Sequence, residues 1–173
     1  MSAQLKAVHA DLVATINVIY KQSEFNFSEP LKEEESDAYG AYFFNLNLQQ
    51  VRFRVAKTTP TKVGQFVTLW KRLGDAPIQP FDISDNIDYF IVSVRYRDNF
   101  GQFVFPKLTL LQHGILSKNG IGGKRAIRVY PPWDTATSRQ ANDTQIWQLK
   151  YFLDIPKNGS IDFHRVKILY NQK

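Results

Sequence analysis

The sequence predicts one α+β domain, within the broad α/β class, in which a mixed β-sheet is flanked by helices. Three observations favour this class. Helix-like and strand-like patterns alternate in the order helix, strands, helix, strands, helix and late strand. The 173 residues are 43% hydrophobic and 14% aromatic, which suffices for a buried core. Cysteine is absent, so neither disulfides nor a zinc–thiolate site can support the fold.

The N-terminal part begins with a predicted amphipathic helix over residues 1–21 and continues as an acidic lead-in over 22–37. Apolar residues recur at helical spacing in the first of these segments: Leu5, Val8, Leu12, Ile16 and Ile19. The aromatic-rich residues 41–48 then predict a strand. Residues 51–57 predict a second strand by alternation, with Val51, Phe53, Val55 and Lys57 on one face and Arg52, Arg54 and Ala56 on the other.

A second helix is predicted to begin at Thr59, a candidate N-cap, with Pro60 in its first turn. Its apolar stripe comprises Val63, Phe66, Val67 and Trp70, and Gly74 ends it. The polar residues Lys62, Gln65 and Arg72 lie off that stripe.

The rest of the chain alternates between strands and helices. Residues 88–96 are apolar on both faces, which is typical of a central strand, and a turn leads from them into 102–106. The later predicted elements are a short helix (107–114), a strand (126–130), a helix (138–153) and a late edge strand (160–170). We therefore expect a single domain over 1–173, with a core over 38–155 and a C-terminal strand and tail over 156–173.

Charge is distributed unevenly within the net +6 of the chain. Residues 38–74 contain six Lys/Arg and no acid, and residues 99–133 contain five Lys/Arg and no acid. Residues 24–37 carry six acids against Lys32. Basic surface of this kind attracts polyanions such as nucleic acid. The alternatives are an ordinary solvated surface, or a basic face that binds an acidic protein or the chain's own segment 28–37.

Few catalytic constellations fit the sequence. The three histidines lack metal-ligand spacing, and we expect no metal site. The glycine-rich loop 117–125 fails the Walker pattern, but its backbone N–H groups with Lys124 and Arg125 could meet a phosphate. Tyr130 and Trp133 flank a proline pair and form either a packed corner or a platform on which a base stacks.

The predicted location is the cytoplasm. There is no N-terminal signal peptide pattern and no apolar run of membrane-spanning length, and the absence of cysteine suits a reducing compartment. We expect no membrane partner, and the oligomeric state is left open.

Several blocks of the chain resemble the MepB-like family of bacterial proteins over about residues 34–153. The blocks are "FRVAKTTPTKVGQFVTLWKR", "GQFVFPK", "GKRAIRVYPPWD" and "TQIWQLKYFL", in that order. The family takes its name from a gene that accompanies a multidrug efflux pump and its repressor. The resemblance implies a restriction-endonuclease-like, PD-(D/E)xK-type fold.

In active members of that fold, an acid on one strand and an E-x-K triplet on the next hold Mg²⁺. The resemblance assigns the lysine to Lys57 and a helix glutamine to Gln65, and it places Val55 where the acid of the triplet should be. Asn45 and Asn47 stand where the partner acid is expected. Glu35 matches the extra acid that some members carry on their first helix. The implied active site is degenerate, so the expected cofactor is none.

We therefore expect a non-catalytic module that binds nucleic acid or another polyanion. The predicted contacts are Arg52, Arg54, Lys57, Lys62, Gln65, Arg72, Lys124, Arg125, Arg128, Tyr130 and Trp133. One alternative is a Mg²⁺-dependent nuclease in which Glu35 or Asp37 joins Asp82 or Asp88, with Lys57 and Gln65 as further catalytic candidates. Another is a protein-interaction module of a drug-resistance or efflux locus.

Overall fold

A computed structural model describes residues 7–171 of the chain. Its helices are α1 (Ala10–Thr15), which continues as a π-helix (Ile16–Tyr20), a 3-10 helix (Asp37–Tyr39), α2 (Lys107–Gln112), α3 (Arg139–Leu149) and α4 (Phe163–Tyr170). Its strands are β1 (Leu31–Lys32), β2 (Tyr42–Leu46), β3 (Gln49–Val55), β4 (Lys57–Thr58), β5 (Gln65–Thr68), β6 (Trp70–Lys71), β7 (Gln79–Pro80), β8 (Tyr89–Tyr96), β9 (Asn99–Pro106), β10 (Ala126–Val129) and β11 (Phe152–Asp154).

The central element is a six-stranded mixed sheet in the order β1-β2-β3-β8-β9-β11. β3 and β8 run parallel, and the other neighbours in this sheet are antiparallel. β8 is apolar on both faces because each face contributes to a different core. Tyr89 and Ile91 are buried on one face, and Phe90 and Val92 on the other. The predicted α+β class, with helices flanking a mixed sheet, is confirmed.

Each face of the central sheet is covered by different elements. The first face packs against α1, its π-helical continuation and α4, through residues such as Leu12, Ile16 and Leu169. The second face packs against α2, α3 and a smaller three-stranded sheet in the order β10-β5-β4. The smaller sheet contributes Val67 and Val129 to that core.

The close packing of β11 on β9 requires a glycine. A Cβ atom on Gly101 would overlap the ring of Phe152 and the carbonyl oxygen of Leu153. The edge strand can therefore approach the sheet only where a side chain is missing.

The predicted helix that begins at Thr59 is wrong, because the segment contains β5 and β6 instead. Gln65, Val67 and Leu69 are buried while Phe66, Thr68 and Trp70 are partly exposed, which is the period of a strand. Gly64 precedes them at φ +83°, where a Cβ atom would overlap the Tyr130 ring and crowd the Val129 carbonyl. Pairing of β5 with β10 over the core outweighs the helix-like spacing of the apolar residues.

The predicted C-terminal edge strand over 160–170 is also wrong, since this segment forms α4. The Asp162 side chain caps the helix by accepting a hydrogen bond from the Arg165 backbone N–H at 3.0 Å. Val166, Leu169 and Tyr170 then meet the first face at helical spacing.

Other predicted boundaries shift. Of the predicted helix over 1–21, Ala10–Tyr20 is helical, and residues 1–6 lie outside the described range. The predicted helix over 138–153 ends at Leu149, and Phe152–Asp154 pairs with β9 instead. The predicted strands over 41–48, 51–57, 88–96, 102–106 and 126–130 are all present with adjusted ends. Over residues 7–171, every helix is too short or too polar to cross a membrane.

Candidate nucleic-acid interface

A broad cleft lies between α3 and the smaller sheet, and we call it the α3 cleft. Its volume is about 1110 Å³. Cations and aromatic rings line it together: Lys62, Lys124, Arg128, Arg139, Phe66, Tyr130, Trp147 and His113. The sequence-predicted residues Lys62, Lys124, Arg128 and Tyr130 thus come together in one concavity.

Strand register sets the floor of the α3 cleft. Phe66 of β5 pairs with Arg128 of β10 on one side and with Lys57 of β4 on the other. Directly opposed residues in an antiparallel sheet project to the same face. Lys57, Phe66 and Arg128 therefore form a row across the face of the smaller sheet that points away from the core.

Arg128 fixes the loop that carries Lys62. Its guanidinium donates hydrogen bonds to the carbonyl oxygens of Val63 and Gly64, both at 3.3 Å, and to the Thr59 hydroxyl at 2.8 Å. None of these acceptors is a carboxylate, so the positive charge of Arg128 is not neutralised by these contacts.

Asp82 fixes the glycine-rich loop that leads to Lys124. Its carboxylate accepts hydrogen bonds from the Ser117 hydroxyl at 2.6 Å and from the Gly120 backbone N–H at 3.1 Å. These bonds, with others from Ser84, hold the pKa of Asp82 well below its usual range. The Lys124 backbone N–H also donates to the Ile115 carbonyl at 2.9 Å. The loop is thus fastened at both ends, and the Lys124 side chain is exposed.

The cations of the α3 cleft lack carboxylate partners. Within residues 7–171, no ion pair within 4.0 Å involves Lys62, Lys124, Arg128 or Arg139. Asp143 is the acid among the lining residues, so the lining carries a net charge of +3. Unpaired cations around a concave surface concentrate positive potential there.

The buried side chain of Gln148 ties α3 to the end of β10. Its Oε1 accepts from the Tyr130 backbone N–H at 2.8 Å, and its Nε2 donates to the Arg128 carbonyl at 2.9 Å. Gln145 adds bonds to the carbonyl oxygens of Pro131 and Asp134, at 3.0 and 2.9 Å. These glutamines set the distance between the two walls of the cleft.

Replacing Gln148 by leucine is expected to lower the free energy of unfolding by about 1–3 kcal/mol for each backbone group left unpaired. The size of the side chain is kept while both hydrogen bonds are lost. Chemical denaturation measures the change. Gln140→Leu, at an exposed position of the same helix, is the control and should stay within about 0.5 kcal/mol. Equal effects of the two variants would contradict the role given to Gln148.

Three predicted contact arginines are occupied by the acidic lead-in. Arg54 is 0% exposed and donates to both oxygens of Glu33, at 2.9 and 2.8 Å. Arg52 donates to the same carboxylate at 2.9 Å, and Arg72 pairs with Glu35 at 2.8 Å. The prediction that Arg54 contacts nucleic acid is wrong, because the Arg54 side chain is buried. These three arginines therefore contact the chain's own acidic segment, as that alternative expects.

The layout implied for Val55, Lys57 and Gln65 is not formed. β3 ends at Val55, which packs with the first-face core, whereas Lys57 begins β4 in the other sheet. The Lys57 ammonium lies 4.9 Å from the centroid of the Tyr39 ring. Gln65 is on a strand, not a helix, and is 1% exposed, with its amide donating to the Arg95 carbonyl at 3.2 Å. It is therefore unavailable to a ligand.

Trp133 and Arg125 stand apart from the lining of the α3 cleft. Trp133 packs edge-on to Phe152 against the second-face core, and its indole nitrogen is buried. Trp133 therefore follows the packed-corner interpretation, while Tyr130 lines the cleft. Arg125 is exposed and neighbours Lys124, but it does not line the cleft.

The carboxylates considered for a metal site each have a different partner. Glu35 pairs with Arg72, Asp37 pairs with Lys32 at 2.6 Å, and Asp88 accepts from the Gln50 backbone N–H at 2.8 Å. Asp82 is held by the loop described above. Over residues 7–171, no group of three or more His, Asp or Glu side chains is placed to hold a metal ion. The two side chains placed beside Lys57, Tyr39 and Phe66, are aromatic and supply no carboxylate oxygen for Mg²⁺.

Sequence reasoning missed several lining residues. Phe66 was assigned to a helix stripe, and Arg139, Asp143 and Trp147 lie on the predicted final helix without any motif that marks them. His113 was expected at the surface or in the core, and it stacks on Trp147 with ring centroids 3.9 Å apart and planes 7° apart. Burial, and then the positive charge of Lys150, lower the pKa of His113 from its usual range.

Comparison with known proteins gives the family. The sequence model of the MepB-like family matches residues 33–154 of this chain. A crystal structure of MepB is 32% identical, covers 88% of this chain and 100% of that one, and superposes with a TM-score of 0.74. A bacterial homing endonuclease, 15% identical over 86% of this chain and 93% of that one, has a TM-score of 0.45. The restriction-endonuclease-like core stays a prediction. None of the curated proteins matches significantly. The resemblance found in the sequence is confirmed, and the chain belongs to the MepB-like family.

Proposed function

We propose that this protein binds nucleic acid in the α3 cleft without cleaving it. The observation that carries the proposal is the set of unpaired cations Lys62, Lys124 and Arg139 around an aromatic-lined concavity. Phosphate contacts by such cations supply most non-specific affinity for nucleic acid. Aromatic rings add stacking surface for bases.

The non-catalytic part of the proposal rests on the position of Val55. An apolar side chain packs there into the first-face core, and Lys57 is displaced to the smaller sheet. A metal-dependent nuclease with a rearranged site would need carboxylates that converge near Lys57. Glu35 and Asp88 instead hold Arg72 and the Gln50 backbone.

Binding of labelled single- and double-stranded DNA and RNA, followed by fluorescence anisotropy, tests the proposal. We expect binding at about 50 mM salt that weakens about 20- to 40-fold at about 200 mM, if three phosphates are neutralised. Affinity that does not change with salt, or no binding at the lower concentration, would refute it. The oligonucleotides should stay intact with added Mg²⁺. Cleavage that Glu35→Gln and Lys57→Ala abolish would establish the nuclease alternative instead.

A further inference from the structure

We propose that the α3 cleft takes an unpaired guanine base of a single-stranded nucleic acid, and that Asp143 reads its hydrogen-bond donors. This inference rests on the proposed function and makes it more specific. It follows from three properties of the cleft: an anchored aromatic stack, one carboxylate among several cations, and the spacing of polar residues on α3.

The aromatic stack gives a base a surface to lie on. Trp147 contacts Phe105 of the core with ring centroids 5.4 Å apart, and His113 stacks on Trp147. His113 is the exposed end of this stack and lines the cleft. Its lowered pKa favours the neutral imidazole. Tyr130 and Phe66 line the opposite wall. A base can use such surfaces only when it is not stacked within a duplex.

The carboxylate of Asp143 is out of place in a site that binds phosphate alone. It lines the cleft and is exposed, and within residues 7–171 it has no ion pair within 4.0 Å. A carboxylate repels phosphate but accepts two parallel N–H bonds well. Guanine presents two such donors, N1–H and the N2 amino group, side by side on its Watson–Crick edge. Other bases present fewer adjacent donors.

Helical spacing places polar groups where they suit this arrangement. Asp143 and Thr144 lie three and four residues after Gln140 and four and three before Trp147, and all four line the cleft from α3. Asp143 therefore lies between the aromatic stack and the N-terminal end of the helix, where Arg139 is found. Lys62 and Lys124 approach from the smaller sheet and the glycine-rich loop. The cations suit the phosphates on either side of the bound nucleotide, and the carboxylate suits its base.

A duplex cannot satisfy this site, because the N1–H and N2 donors of guanine are already bonded to cytosine. The inference therefore predicts a preference for single strands and for guanine together. A cleft that offered cations alone would prefer neither single strands nor guanine.

The test compares strands of about 12 nucleotides, within the site sizes of single-strand binders. Each has one central guanine or adenine in an otherwise thymine sequence, and each is also tested as a duplex. We expect the guanine strand to bind about 5- to 150-fold more tightly than the adenine strand, the range of one bidentate base contact. Asp143→Asn should remove this preference and keep the salt dependence. The matched control Asp75→Asn, at an exposed position outside the cleft, should leave both unchanged.

Other results would overturn the inference. Equal, salt-dependent binding of single strand and duplex, or of guanine and adenine strands, would leave the proposed function standing without it. Equal competition by free guanosine monophosphate would assign the site to a nucleotide rather than to a strand. No binding to any oligonucleotide would refute both.

Discussion

Replacing Glu33 by alanine is expected to lower the free energy of unfolding by about 3–5 kcal/mol, since it leaves a buried charge without its partner. Arg54 is 0% exposed and Glu33 is 12% exposed at the side chain. Burial is the main cause that lowers the pKa of Arg54, and Glu33 opposes it. Arg54 Nε is buried without a hydrogen-bond partner among residues 7–171, so the guanidinium depends further on the carboxylate. Urea denaturation followed by tryptophan fluorescence measures the change.

The control for this prediction is Glu35→Ala. The Glu35 side chain is 41% exposed and that of its partner Arg72 is 36% exposed. Removing this pair should therefore lower the free energy of unfolding by only about 0–1 kcal/mol. The double variant Glu33→Ala/Arg54→Met should recover much of the lost stability, because an apolar side chain needs no counter-charge. Similar losses for Glu33→Ala and Glu35→Ala, or no recovery in the double variant, would show that the pair does not support the fold.

The Glu33–Arg54 pair also decides how the acidic lead-in is understood. Charge alone suggests a segment that screens a basic surface and could be released. Because Arg54 is buried beneath Glu33, this part of the segment belongs to the folded structure. Glu33 therefore stabilises β3 of the central sheet, and it does not line the α3 cleft.

Local patterns predicted the central sheet well. The alternating residues of β3 and the apolar run of β8 both predicted strands, and both segments are strands of the central sheet. The patterns failed at β5, where they predicted a helix, and at α4, where they predicted a strand. Val63, Phe66, Val67 and Trp70 fit helical spacing, but the segment is held by pairing with β10, about 60 residues away in sequence. Propensity within a short window carries no information about that partner.

The site was predicted in part for a similar reason. The absence of acids between residues 99 and 133 identified Lys124 and Arg128, which lie in the cleft. The same criterion selected Arg52, Arg54 and Arg72, whose partners in the acidic lead-in could not be assigned from sequence. Arg139 and Asp143 were missed because their position follows from how Gln148 docks α3 on β10.

Replacing Lys62 and Lys124 together by alanine is expected to weaken nucleic-acid binding and make it less sensitive to salt. Each lost phosphate contact should reduce the slope of log affinity against log salt by about 0.7 for single strands and about 0.9 for duplex. The magnitude of this slope should therefore be smaller by about 1.4 to 1.8 in the double variant. Both side chains are exposed and unpaired, so stability should change by less than about 0.5 kcal/mol.

The salt slope of the double variant Lys62→Ala/Lys124→Ala, measured beside Lys21→Ala/Lys167→Ala, tests the central claim most directly. Lys21 and Lys167 are exposed on the elements that cover the first face of the sheet, away from the cleft, and their removal changes the net charge equally. We predict a lower slope and weaker binding for the cleft variant alone. Equal losses in both variants would mean that net charge, and not the α3 cleft, attracts nucleic acid, and would contradict the account.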